Sequence, residues 1–167
     1  MTLLVKNVHI LGGADHGTDK KDIFISGDAI SAIGDFSDTI ADEVLDGRGA
    51  YASPGFIDAH TESDHSLGIL RRPSQEEFLK QGVTTIVGGY DGISLAPFLA
   101  ANRNSIRALA DPRGVNFDWH TVKEFLNTFN KRKLGVNFLT FVGYETLRRA
   151  IGVDESREMK PSDIRVF

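Results

Sequence analysis

Apolar positions interleaved with polar ones from Leu3 to Leu11 (Leu3, Val5, Val8, Ile10) predict a β-strand that Gly12-Gly13 ends. A polar loop is expected from Asp15 to Lys21. Asp22 to Ser26 predicts a second strand, Gly27-Asp28 a tight turn, and Ala29 to Ile33 a third strand folding back as a hairpin. Glu43 to Asp46 and Ala50 to Ala52 predict short strands on either side of a turn from Gly47 to Gly49. Turns this closely spaced match a small β-sandwich.

After Pro54 the pattern changes. Pro54-Gly55 is a turn signal, and Phe56-Ile57 an apolar pair suited to a buried strand. Ser74-Gln75-Glu76-Glu77 has capping-box spacing, and Gly82 reads as the stop of a short helix. Val83-Thr84-Thr85-Ile86-Val87 is a β-branched run, which predicts a buried parallel strand. A helix is expected from Pro97 to about Ala110, with Pro97 in its first turn. Thr121 to Glu124 is a second capping box, opening a helix to about Lys131 that Gly135 stops. Val136 to Val142 is the next strand. Strands alternating with helices imply a parallel sheet with helices outside it. Lys160 to Ile164 reads as the start of a helix close to Phe167, so a chain cut from a larger fold is expected.

Composition narrows the function classes. The chain has 167 residues, 41% of them hydrophobic, which is globular composition with enough length for a real core. A net charge of -4 argues against nucleic acid and anionic membrane as partners. There is no cysteine, which excludes disulfides and thiolate metal sites. The N-terminus lacks a signal-peptide pattern, so a cytoplasmic location is expected. Gly88-Gly89 and Gly92 are not followed by Lys-Ser/Thr, so a phosphate-cradling loop is discounted. Arg71-Arg72 and Arg148-Arg149 read as solvated surface, and His9, His16 and His120 as surface or structural. Trp119 and Phe117 read as packing for a loop lid or a missing subdomain.

The chemistry concentrates in Phe56-Ile57-Asp58-Ala59-His60-Thr61-Glu62-Ser63-Asp64. If the strand runs through His60 and Glu62, their side chains point the same way, as an imidazole and a carboxylate suited to a divalent cation. The alternative is that both cap the strand and face solvent. Asp58 lies on the opposite face and is expected to make structural hydrogen bonds. Asp64 and His65 read first as loop residues and only secondarily as supplements to the site.

Pro54-Gly55-Phe56-Ile57-Asp58-Ala59-His60, then Gln81-Gly82-Val83-Thr84-Thr85-Ile86-Val87-Gly88, then Gly92-Ile93-Ser94-Leu95-Ala96-Pro97, in that order, resemble the metal-dependent amidohydrolase superfamily. Within it, the chain is similar to the D-aminoacylases (N-acyl-D-amino-acid deacylases) up to Phe141-Val142-Gly143-Tyr144-Glu145-Thr146-Leu147-Arg148. The resemblance implies an α/β fold. Residues 1–53 would be the N-terminal share of a composite β-sandwich. Residues 54–167 would be the first βα units, about three of eight, of an incomplete (β/α)8 TIM-type barrel.

The resemblance also implies Zn2+ or another divalent cation, and an amide, most naturally an N-acyl-D-amino acid, as small-molecule substrate. The implied metal residues are His60, Glu62 and Asp91. Here the chain departs from the family pattern, with Glu62 where the second histidine of His-X-His belongs, Asp91 in place of a cysteine, and Tyr144 in place of a histidine. The proton-shuttle aspartate is expected beyond residue 167, so residues 1–167 alone are expected to be inactive. A cyclic amide, as for hydantoinases and dihydroorotases, is the alternative substrate. A non-catalytic remnant or assembly component with a degenerate metal site is the alternative function. Open strand edges and apolar faces, such as those of Val136, Phe138 and Phe141, are expected to be covered by self-association or by the remainder of a barrel.

Overall fold

Strand β1 (Thr2–Ile10) is the axis of a mixed five-stranded sheet. β2 (Lys21–Ser26) pairs antiparallel with it, β3 (Ala29–Gly34) continues the hairpin, and β4 (Glu43–Asp46) and β5 (Tyr51–Ala52) run parallel to β1. The register of β1 on β2 shifts between Val5 and Val8, where Asn7 adopts φ 57. The buried Asp22 carboxylate stabilises this bulge by accepting the Asn7 N–H at 2.9 Å and the Phe36 N–H at 3.1 Å. The sandwich expected from the turn spacing needs a second, facing sheet. The described residues of this region form one sheet.

The computed structural model describes residues 1–12, 19–109, 111, 113–153 and 156–165. His16, most of the expected polar loop and the expected helix end at Ala110 lie outside them. The chain divides into two compact units, Met1–Pro54 and Gly55–Phe167. Among the described residues no helix is long and apolar enough to cross a membrane.

The second unit is built on three parallel strands in the order β6 (Phe56–Asp58), β7 (Val83–Gly88), β8 (Asn137–Thr140). Between β6 and β7 lie the short helices α1 (Gly68–Arg71) and α2 (Glu76–Leu79). Between β7 and β8 lie α3 (Arg103–Leu109) and α4 (Val122–Arg132). α5 (Tyr144–Ala150) and α6 (Pro161–Ile164) follow β8.

One face of the sheet is sealed. Ile86 on β7 is fully buried, and Phe125 and Phe129 of α4 meet Phe138 of β8 edge-on, at ring separations of 6.2 and 5.2 Å. Val136 is buried in the same core, so the expectation that its face stands partly open is corrected, while Phe138 is only partly buried. Phe141 is 56% exposed, as expected, and Ile57 (67%) and Leu139 (53%) are exposed as well. Trp119 is likewise not a lid residue. It is fully buried, donates its indole N–H to the Leu95 carbonyl at 2.8 Å, and touches the rings of Phe98, Phe117 and Phe125.

α4 carries both halves of the expected capping box. Thr121 Oγ1 accepts the Glu124 N–H, and the Glu124 carboxylate accepts the Thr121 N–H. The helix ends at Lys133, which takes φ 52, and not at Gly135. Gly135 instead passes so close to Ser74 that a Cβ there would meet the Ser74 carbonyl oxygen at 2.0 Å.

The Ser74 capping box does not form. Gln75 precedes α2 in a left-handed conformation, with its side chain buried. Its amide accepts from Ser63 Oγ at 2.7 Å and donates to the Arg72 carbonyl at 2.6 Å, while Glu77 pairs with Arg72.

The helix expected from Pro97 begins only at Arg103. Side chains take the backbone groups that a helix would have used. Asn102 accepts the Leu99 N–H and donates to the Pro97 carbonyl, each at 2.8 Å. Arg148 and Arg149 are only partly exposed and pair with Glu145, so they are not simply solvated surface. Ser94 and Thr146 bond twice. The Ser94 N–H donates to Thr146 Oγ1 at 2.8 Å, and that hydroxyl donates to the Ser94 carbonyl at 3.1 Å.

Candidate metal centre

β6 stops at Asp58, whose carboxylate accepts the His60 N–H at 3.1 Å and turns the chain out of the sheet. His60 and Glu62 therefore lie past the end of the strand, and strand alternation does not govern their side chains. The following residues are stitched to the end of β7. The Thr61 N–H and hydroxyl both donate to the Val87 carbonyl at 3.0 Å. Asp64 Oδ2 accepts the Gly89 N–H at 2.8 Å.

From Glu62 the chain coils into a tight turn, with the Ser66 N–H on the Glu62 carbonyl at 3.1 Å and the Leu67 N–H on the Asp64 carbonyl at 2.9 Å. Residues three apart in such a coil share a side, so His65 lies beside Glu62. Across from them Asp91 sits just past β7 with φ 54. Donor atoms of Glu62, His65 and Asp91 all lie within 4.8 Å of one another.

His60 is outside this group. Its ring stacks on Tyr90 at 4.1 Å, and Tyr90 in turn meets Phe141 edge-on at 5.4 Å and donates its hydroxyl to the Ala59 carbonyl. The sequence points to His60, Glu62 and Asp91 as ligands and to His65 first as a loop residue, only secondarily as a supplement to the site. The usable signal was its spacing from Glu62, which counts only once residues 62–65 are known to coil.

The donor set is two carboxylates and one imidazole, which suits zinc, manganese or another divalent cation. Glu62 and Asp91 are exposed and His65 half-buried, so the group opens to solvent. His65 Nε2 lies 3.3 Å from the Ile93 carbonyl oxygen. A proton on Nε2 would satisfy that carbonyl and leave Nδ1 with the free lone pair, the arrangement by which ligand imidazoles are oriented.

Next to the group, Asp64 is 1% exposed, and burial pushes its carboxyl above the ordinary aspartate range. The Gly89 N–H offsets part of this, and the positive potential of His65 and nearby backbone N–H groups favours the charge further. Among the described residues Oδ1 has no partner in hydrogen-bond geometry.

No family model matches the chain. The D-aminoacylase of Alcaligenes xylosoxydans xylosoxydans is 36% identical over 162 residues, 97% of this chain and 33% of that protein. Two solved D-aminoacylase structures, one defining a subset of amidohydrolases and one addressing a binuclear metal centre, each superpose with a TM-score of 0.81 at 32% identity. The chain belongs to the metal-dependent amidohydrolase superfamily, as a relative of the D-aminoacylases. It spans 34% of the length of those two solved structures, so this amidohydrolase chain corresponds to part of their fold. Its α/β architecture, with one mixed and one parallel sheet, resembles an incomplete amidohydrolase barrel. In such barrels functional residues stand at the C-terminal ends of the strands. Glu62 and His65 follow β6, and Asp91 follows β7.

Proposed function

We propose that the complete polypeptide carrying this chain hydrolyses the amide bond of an N-acyl-D-amino acid with the help of a divalent cation. Residues 1–53 serve as the N-terminal share of a β-sandwich, and residues 54–167 as the first units of the barrel. Glu62, His65 and Asp91 hold the cation, zinc or a harder ion, and His60 forms the adjoining wall of the site with Tyr90. The observation that carries this reading is the convergence of those three donors within 4.8 Å, in a chain 36% identical to a D-aminoacylase. A cation held there supplies a Lewis acid that activates water at neutral pH and polarises the amide carbonyl. The chain's own residues fix the donors: Thr61 and Asp64 anchor the first loop, and Ile93 orients His65.

The test is hydrolysis of N-acetyl-D-amino acids, their L-enantiomers and hydantoins by the complete polypeptide, stripped of metal and reconstituted with zinc or manganese. Metal-dependent turnover of the D-series is expected, and failure on every substrate with either metal would overturn the reading. A non-catalytic role has one specific observation in its favour. Glu62, Asp91 and Tyr144 occupy positions where the family pattern implies histidine, cysteine and histidine. A chain that takes up no metal would favour that second reading.

A further inference from the structure

We infer that Asp64 is a positioning residue. By accepting the Gly89 N–H it ties the loop carrying Glu62 and His65 to the loop carrying Asp91. The inference rests on the metal-centre reading above, which it deepens.

The carboxylate is almost completely buried, a costly place for an ionisable group unless it is held by hydrogen bonds. Among the described residues, Oδ2 accepts a hydrogen bond in good geometry from the Gly89 N–H of the opposite loop, 25 positions away in sequence. The backbone there is shaped to receive it. A Cβ on Gly88 would come within 2.8 Å of Asp64 Cγ, so the bare glycine makes room for the carboxylate.

Gly89 is confined from its other side as well. With φ +80, a Cβ on it would meet the Phe141 carbonyl oxygen at 2.2 Å, and the Phe141 N–H donates to the Gly88 carbonyl at 3.0 Å. Gly88-Gly89 is therefore clamped between Asp64 and the end of β8, and Asp91 follows two residues later. The Thr61 bonds to Val87 stop at the strand end and do not reach the turn that carries Asp91. The Asp64 bond does reach it. Together with the Tyr90 hydroxyl on the Ala59 carbonyl and His65 Nε2 beside the Ile93 carbonyl, it holds the donors of the two loops within range of one cation.

The experiment uses the full chain and compares Asp64→Leu, which removes the acceptor, with Asp64→Asn, which keeps one. Exchange of the Gly89 amide proton is followed by NMR, and cobalt(II) binding by its visible spectrum. Asp64→Leu is expected to speed Gly89 exchange and to weaken cobalt binding by about 10- to 100-fold, the range for lost supporting contacts around metal ligands. Asp64→Asn is expected to restore both towards wild type.

Gly89 exchange unchanged in Asp64→Leu would overturn the inference, and so would an Asp64→Asn variant as impaired as Asp64→Leu. If Asp64→Leu does not fold, Gly88→Ala replaces it, because the added methyl displaces the carboxylate. Unaltered Gly89 exchange in Gly88→Ala then counts against the inference. The two possible failures are distinct. Wild-type chain that takes up no cobalt overturns the metal-centre reading. Wild type and Asp64→Leu binding cobalt equally well overturn the role of Asp64.

Discussion

The rings of His60 and Tyr90 stack at a centroid separation of 4.1 Å, and the converging donors are those of Glu62, His65 and Asp91, without His60. The two histidines are therefore expected to differ in their effect on metal binding. His65→Ala should weaken cobalt or zinc binding by about tenfold or more, and His60→Ala by much less. Isothermal titration of both variants at one pH measures the difference, and a larger loss in His60→Ala would refute this ordering.

Phe125 is 1% exposed and contacts the rings of Trp119, Phe129 and Phe138. Phe125→Ala should cost about 3–5 kcal/mol, because removing a buried ring leaves a cavity that rigid neighbours fill only in part. Trp119 is the only tryptophan, so its fluorescence in a urea titration reports this core directly.

The capping box of α4 gives a prediction with a pH sign. The N–H groups of His120 and Thr121 hold the Glu124 carboxyl below its ordinary value of 4.5. A depressed folded-state value means that the contribution is present above the unfolded-state value and is lost as pH falls through the folded one. Urea midpoints of wild type should therefore fall between pH 6 and pH 3 by more than those of Glu124→Gln. Thr121→Ala should cost about 1 kcal/mol, and equal midpoints for Thr121→Ala and wild type at pH 7 would refute the cap.

At Gly135 even a methyl group would meet the Ser74 carbonyl oxygen at 2.0 Å, while the Gly135 N–H donates to the Pro73 carbonyl at 2.9 Å. Gly135→Ala must push these two segments apart and should cost about 1–3 kcal/mol, as overpacking typically does. A midpoint unchanged from wild type would show that the approach is looser than described.

Much of this was legible in the sequence. Thr121 and Glu124 announced α4 because a capping box is satisfied by residues within one turn. The β-branched run at Val83 announced β7 in the same local way. The misses share a cause. Ser74 looked like a cap, but Gln75 was already claimed by Ser63 and Arg72. Pro97 looked like a helix start, but Asn102 holds its carbonyl and the Leu99 N–H. Trp119 looked like packing for a loop lid or a missing subdomain, but it is buried in this core with its indole N–H on the Leu95 carbonyl. In each case a side-chain hydrogen bond outbid the pattern read from the sequence. Likewise at the site, Glu62 and Asp91 were visible as residue types. His65 was visible only as a secondary supplement, because its place depends on where β6 ends, and Asp58 decides that by a hydrogen bond.

The exposed side chains of Ile57, Leu139 and Phe141 leave an apolar surface on the second unit. Surface of this kind drives association. The chain is expected to self-associate as its concentration rises, and the double variant Ile57→Lys with Leu139→Lys to do so less, as light scattering would show. Equal scattering from both proteins would point away from this surface.

The double bond between Ser94 and Thr146 bears on the order in which the second unit assembles. The two residues are 52 positions apart, and one hydroxyl must accept from and donate to the same distant residue. Closing so long a loop costs less once α4 and β8, which lie within it, have formed. It is therefore expected to close late in folding, so Thr146→Val should raise the unfolding rate more than it lowers the folding rate, as stopped-flow kinetics would show.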